Sequence, residues 1–255
     1  MDKTVVITGA SSGFGAACAH AFATLGWRLV LTARRSEVLS RLQEELAPFT
    51  SVHVVTLDVR DREAVSAAFS SLPPAFAEVD LLVNNAGLAL GLEPAHKASL
   101  DDWDTMVDTN IKGVMYCTRA LLPGMVLRNR GHVVNIGSVA GSWPYPGGNV
   151  YGASKAFVQQ FSRNLRADLL GTAVRVTHIA PGMAETEFSK VRFKGDDEQA
   201  HRVYAGTEPL LPQDIADIVT WVSSVPARVN INSVEVMSVN QSWGPFAVHR
   251  GNPKD

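Results

Sequence analysis

Six short apolar runs, each ending in small or polar residues, constrain this chain more than any other feature: TVVIT (4–8), RLVLT (28–32), SVHVVTLDV (51–59), DLLVNNAG (80–87), GHVVNIGS (131–138) and AVRVTHIAPG (173–182). Helical patterns lie between them. One runs from Phe14 to Leu25 and closes at Gly26, a second from Ser36 to Leu46 stops at Pro48, and others centre on Val65, Met115 and Phe161. Strands alternating with helices of this length predict an α/β fold: a parallel sheet covered by helices on both faces. No linker or shift in composition divides the 255 residues, so residues 1–255 are read as a single domain, and a 46% hydrophobic content supports a sizeable core.

An open parallel sheet binds ligands beyond the carboxyl ends of its strands. The segments expected there are TGASSGFG, TARR, LDV, NNAG, IGS and APG, all rich in small and polar residues. Other classes have little support. The net charge is −2 with no block of Lys and Arg, which argues against a nucleic-acid or polybasic membrane surface. The seven histidines are scattered without ligand spacing, so no metal is expected. The two cysteines, Cys18 and Cys117, fall in apolar helical patterns, which suits a reducing compartment. The opening MDKTVVITGA lacks the long apolar core of a secretory signal, and no run is long enough to span a bilayer. The expected location is the cytoplasm.

The loop TGASSGFG follows the first strand and opens a helix, with glycines spaced Gly9-x-x-x-Gly13-x-Gly15 and Ala10, Ser11, Ser12 and Phe14 between them. Glycine lets backbone approach a pyrophosphate closely, and a helix N-terminus offers the anion unpaired N–H groups. After the first strand of such an array, the loop predicts a Rossmann-type doubly wound sheet holding a dinucleotide. At the end of the second strand, an NAD site usually carries Asp or Glu for the ribose hydroxyls. Here Ala33 is followed by Arg34 and Arg35, with no acid before Glu37. A guanidinium matches the additional phosphate of NADP(H), the expected cofactor. The alternative is that both arginines open a solvated helix.

VYGASKAF places Tyr151 and Lys155 one helical turn apart, a spacing common by chance. Its companions give it meaning. TGASSGFG, NNAG, NIGS, YGASK and PGMAET, in this order and at these separations, resemble the short-chain dehydrogenase/reductase superfamily over nearly the whole chain. Carbonyl reduction needs a proton for the oxygen, and Tyr151 is the expected donor. Lys155 is expected to favour the phenolate and lower its pKa. Ser138, at the end of NIGS and 13 residues before Tyr151 (151 − 138), would hydrogen-bond the substrate oxygen. The resemblance implies further roles. Lys155 would also hold the nicotinamide ribose, and Asn110 would hold a water for proton relay. Asp58 and Val59 would flank the adenine, and Asn85, Ala86 and Gly87 would lie on the adenosine side. Pro181, Gly182, Met183 and Thr186 would lie beside the nicotinamide.

Trp143 and Tyr145, in AGSWPYPGG, stand close to this set and could wall a small substrate pocket, although Trp143 could equally fill a core or an interface. Residues 183–206 occupy the place of the superfamily's lid, with Lys190, Arg192 and Lys194 along it. The segments EFSKVRFKGDD, VNINSVEVM and QSW…VHR resemble NADP-dependent 3-hydroxy acid dehydrogenases, which act on serine-like and 3-hydroxypropionate-like alcohols and the matching semialdehydes. That resemblance implies a small anionic aldehyde or hydroxy acid as substrate, with Arg192 as partner of its acid group. Relatives in that subgroup tend to carry an acid before the Pro-Gly, where this chain has Ala180, so the anion could instead be a sulfonate, as in sulfoacetaldehyde. In this superfamily the helices around Met115 and Phe161 meet symmetry mates, which implies a homo-oligomer, a tetramer. The tail 240–255 carries Trp243, Phe246 and Val248, expected to cross to a neighbouring subunit. The competing class is a non-catalytic NADP-binding regulator, in which the tyrosine, lysine or serine is usually lost.

Overall fold

The first strand, β1 (Thr4–Thr8), is buried at all five residues, the pattern of a central strand covered on both sides. The computed structural model of the chain describes residues 3–196, 198, 204 and 206–243. Of the expected lid, residues 197, 199–203 and 205 therefore lie outside the described residues, as do 244–255 of the expected tail, including Phe246 and Val248.

The six apolar runs form six parallel strands: β1, β2 (Arg28–Ala33), β3 (Val52–Thr56), β4 (Leu81–Asn84), β5 (Gly131–Ile136) and β6 (Val174–Pro181). A seventh, β7 (Ser233–Val236), pairs parallel with β6 at one edge. The sheet order is β3-β2-β1-β4-β5-β6-β7. The chain thus reverses direction across the sheet between β1 and β4, which is the switch point where open α/β sheets bind ligands.

Alternate residues of each strand feed opposite cores. Val5 and Ile7 join a cluster with α1 (Gly13–Thr24), α2 (Ser36–Leu46) and a helix at Pro212–Ser224. Val6 joins the opposite cluster, with α3 (Arg62–Ser70), α5 (Val114–Leu127) and α6 (Asn149–Asp168). A third, smaller cluster joins Leu88, Ala89, Met106 of α4 (Leu100–Val107) and Tyr151 at the carboxyl rim. A short helix, α7 (Glu187–Arg192), follows β6, so Pro212–Ser224 is α8. Local signals set the helix starts. Asp61 accepts from the N–H groups of Glu63 and Ala64 ahead of α3, and Asp214 accepts from the Leu211 N–H ahead of α8, where Pro212 occupies the first helical position. Between α4 and α5 the helical path widens into a π-type turn, Asp108–Gly113, which carries Asn110.

Polar groups are also buried in this core. Asn84 donates to Asn135 Oδ1 (2.8 Å) and Thr118 Oγ1 (2.9 Å), and Asn135 donates to Ser162 Oγ (2.8 Å), a ladder from β4 across β5 to α6. Two histidines are buried neutral. His132 Nε2 meets Thr177 Oγ1 at 2.8 Å, and burial with nearby Arg175 pushes its pKa down to about 3. His178 lies behind the backbone of Gly137, where a Cβ would collide with its Nε2, and burial pushes its pKa down to about 4. An unfolded histidine titrates near 6.5, so between about pH 6.5 and pH 4 the unfolded chain binds more protons than the folded one. Stability from these two groups is present above pH 6.5 and lost on acidification. The melting temperature is expected to fall from pH 6.5 to pH 4, and the fall to be shallower in His132→Gln; equal slopes in the two proteins would refute the assignment.

Candidate active site

The carboxyl ends of β1 and β4 are tied together by side chains. Thr8 Oγ1 accepts from the N–H groups of Asn85 and Ala86 (3.0 Å each), and Asn85 Nδ2 donates to the carbonyls of Thr8 (2.9 Å) and Gly9 (3.1 Å). The glycine loop closes on itself here: a Cβ on Gly15 would strike the Gly9 carbonyl oxygen and stand 2.6 Å from Asn85 Nδ2. That approach explains why the turn needs glycine at its second end. Along this rim opens a cleft of about 1560 Å³. It exceeds the 300–1,000 Å³ usual for a single small ligand.

The cleft gathers most of the residues expected from sequence. Gly9, Ser11, Ser12, Gly13 and Phe14 line one end with Arg34, Arg35, Asp58 and Val59; Asn85, Ala86 and Gly87 form its floor; Pro181, Gly182, Met183 and Thr186 border the other end with Ser138, Trp143, Tyr145, Tyr151, Lys155 and Arg192. Ala10, Gly15 and Asn110 stand behind the wall. Ala10 is buried with its N–H on the Thr32 carbonyl, and Gly15 packs under Gly9. Asn110 is also buried. Its amide donates to Leu88 O (2.8 Å) and Ser154 Oγ (3.0 Å) and accepts from Leu88 N (2.9 Å). Its side chain therefore pins the segment after β4 to α6.

The end of β2 is cationic, as the sequence indicates. Arg35 reaches Ser11 Oγ (3.0 Å) and the Ser11 carbonyl (3.1 Å) and pairs with Glu187 of α7 at 3.2 Å. Asp58 holds Arg60 at 2.6 Å, and that hydrogen bond keeps its carboxyl below the usual carboxylate range.

Tyr151 and Lys155 face the cleft from α6, and both are buried. Burial pushes the Tyr151 phenol up to about 12; a hydrogen bond with Ser138 lowers it, Tyr145 raises it and the Arg192 charge lowers it. Lys155 has a backbone partner of its own. Its Nζ lies 5.9 Å from the Tyr151 ring centroid, donates to the Ile136 carbonyl at 2.9 Å, and is itself pushed down to about 8 by burial. Ser138 leaves β5 in extended conformation and its Oγ accepts from Ala140 N at 3.1 Å, fixing the hydroxyl at the cleft wall.

Arg192 closes the set from α7. Its Nη2 donates to Tyr145 Oη at 2.6 Å and its Nε to the Gly91 carbonyl at 3.3 Å, with the guanidinium carbon 5.4 Å from the Tyr145 ring centroid and 5.6 Å from that of Tyr151. Several neighbours escaped the sequence reading. Phe188 packs its ring 5.5 Å from Tyr151, Gln241 accepts from Met183 N at 2.7 Å, and Glu235 accepts from both Trp143 Nε1 (3.4 Å) and Trp243 Nε1 (2.7 Å). Glu235 stands beside Ala180 in the β6–β7 register, so an acid is present one strand away from Ala180. The Trp143 and Trp243 rings lie tilted against each other with centroids 6.0 Å apart, and Trp243 lines its own chain's cleft.

The chain is similar to known proteins over nearly its whole length. An NADP-dependent 3-hydroxy acid dehydrogenase, YdfG, of Salmonella typhi is 59% identical over 247 residues, 96% of this chain and 99% of that protein. Sulfoacetaldehyde reductase 2 of Chromohalobacter salexigens is 54% identical over 251 residues, 98% of this chain and 100% of that protein. The solved closed form of a serine dehydrogenase complexed with NADP+ superposes with a TM-score of 0.94 at 56% identity, covering 97% of this chain and 100% of the other. The family model described as short chain dehydrogenase matches residues 3–197. A match of that extent, over the strands and loops that build the cleft, makes this chain a member of the short chain dehydrogenase family.

Proposed function

We propose that this protein is an NADP(H)-dependent oxidoreductase that interconverts a short anionic aldehyde and its alcohol, with a 3-hydroxy acid such as 3-hydroxypropionate or serine as the alcohol. One observation carries the substrate class: a guanidinium, Arg192, lies 5.6 Å from the Tyr151 ring centroid inside the cleft, within reach of the acid group of a short substrate whose carbonyl meets Tyr151. The chemistry of the donor set supports the cofactor. The glycine loop offers close backbone at the start of α1, and the end of β2 presents Arg34 and Arg35 in place of a carboxylate. When bound, the reduced dinucleotide supplies the hydride. Arg34 and Arg35 would hold its 2′-phosphate, Asp58 and Val59 the adenine end, and Lys155 the nicotinamide ribose.

The remaining work falls to the chain's own side chains. Tyr151 keeps its proton at neutral pH because burial holds the phenol neutral, and it gives that proton to the carbonyl oxygen as charge develops there. Ser138 orients the same oxygen. Lys155, anchored on Ile136, is the cation that makes the phenolate tolerable after the proton has left. Trp143, Tyr145 and Phe188 exclude water from one side. All members of the set are present and converge, which supports turnover over a purely regulatory, cofactor-binding role.

A sulfonate-bearing aldehyde is the second reading, favoured by the 54% identity to a sulfoacetaldehyde reductase over 98% of the chain. The proposed location is the cytoplasm, in keeping with two free thiols that burial pushes up to about 12; no helix among the described residues is long and apolar enough to cross a membrane. The proposed assembly is a tetramer through α5 and α6, where Met115 is exposed and Phe157 stacks on Phe161 at 5.6 Å.

Three measurements test these readings. NADPH oxidation with malonic semialdehyde, and NADP+ reduction with 3-hydroxypropionate and serine, should exceed activity on bulky neutral ketones, with sulfoacetaldehyde deciding between the two anions; activity on the ketones alone ends the anion reading. Tyr151→Phe should bind NADPH as the parent does and lose about 10²–10⁴-fold in kcat; normal turnover would remove Tyr151 as the proton donor. Light scattering at micromolar protein should give a tetrameric mass, and a monomeric one rejects the assembly.

A further inference from the structure

Arg192 is placed to feel two things at once. Its guanidinium carbon is 5.6 Å from the Tyr151 ring centroid and 5.4 Å from that of Tyr145, and its position is fixed by Tyr145 Oη and the Gly91 carbonyl. An arginine stays charged at any pH the protein meets. We propose that Arg192 couples the charge of the substrate to the acid strength of Tyr151: the guanidinium that receives the substrate's anionic group is also the nearby cation that favours the Tyr151 phenolate, so an anionic substrate partly neutralises the charge that its own proton donor or acceptor depends on. This rests on the reading above that the substrate anion meets Arg192.

The surroundings leave few other charges to do this. On its own helix Tyr151 has Lys155, whose ammonium is turned to the Ile136 carbonyl. From the segment after β5 it faces the neutral Ser138 and Tyr145, and from α7 it faces Phe188 and Arg192. Asp102 of α4, the helix packed against α6, is already held by Lys194 at 2.9 Å. His178, near Lys155, is neutral through burial. Among the described residues, Arg192 is therefore the cation whose effect on the phenol a substrate can reach. Of the influences on the phenol, burial opposes ionisation and Arg192 favours it. Charges at such a separation in a partly dry cleft interact strongly enough to move a titration by about one pH unit.

The alcohol-oxidation direction reads this out. The alcohol O–H proton passes to the Tyr151 phenolate as the hydride leaves the same carbon for bound NADP+, so the rate rises with pH through the phenol's titration. The pH dependence of kcat/KM reports the NADP+ complex with free alcohol, and that of kcat reports the complex with alcohol bound. The test uses the NADP+-saturated enzyme with 3-hydroxypropionate and with neutral 1,3-propanediol. In the parent enzyme the kcat/KM profiles of the two alcohols should share one midpoint, while the kcat midpoint should lie about one unit higher for 3-hydroxypropionate. Arg192→Gln should raise the kcat/KM midpoint for both alcohols by a similar amount, remove the kcat difference between them, and raise KM for 3-hydroxypropionate more than tenfold relative to the diol. Arg192→Lys, which keeps the charge, should restore the parent's midpoint. A raised KM in Arg192→Gln with unmoved midpoints overturns the coupling and leaves the anion site standing. An unchanged KM ratio overturns the anion site, and the coupling with it.

Discussion

Burial of a phenol and an ammonium in one wall is the constraint on which the site depends. Desolvation opposes the charged form of each, so Tyr151 is pushed up and Lys155 down, and an isolated pair in this cavity would tend to be neutral together. The protein offsets this with fixed partners. Lys155 keeps a carbonyl, Tyr151 has a hydroxyl in Ser138, and a guanidinium stands over its ring. Each partner comes from a different element: Ile136 ends β5, Ser138 follows it, and Arg192 ends α7. The chemistry therefore exists only when those elements are in register.

Register is what the buried polar groups hold. Asn84, Asn135 and Ser162 link β4, β5 and α6 in one line, and Asn110 ties the segment after β4 to Ser154, one residue before Lys155. Such groups are costly to leave unpaired in an apolar core, so displacing one strand by a residue would strand several of them together. The same economy governs the switch point, where Thr8 and Asn85 exchange hydrogen bonds across β1 and β4. The cleft opens where the sheet order reverses, and its floor is stitched there.

Much of this was legible in the chain. Runs such as TVVIT and RLVLT carry their own strand signal because both faces of a parallel strand are buried, and the loop after β1 identifies itself through glycines that a close backbone contact requires. Tyr151, Lys155 and Ser138 were readable as a set because their motifs, in order with the others, resemble the short-chain dehydrogenase/reductase superfamily. Other features depend on contacts between distant segments and leave no local pattern. SVEV is a four-residue edge strand, only half covered, and Glu235 within it gains meaning solely from two indoles that the fold brings to it. Helical spacing likewise shows that Lys155 is on the same side as Tyr151, but not that its ammonium donates to the carbonyl of Ile136.

The widened turn at Asp108–Gly113 has a consequence of its own. Adding a residue to one helical turn advances the angular phase of everything after it, by about 100° in a helix of 3.6 residues per turn. Met106, ahead of it, faces the small cluster around Tyr151, whereas Cys117, Leu121 and Met125, after it, face the sheet. A single near-continuous rod thus serves two walls that a uniform helix would present at a different angle, and the phase slip falls on the residue, Asn110, that clamps them together.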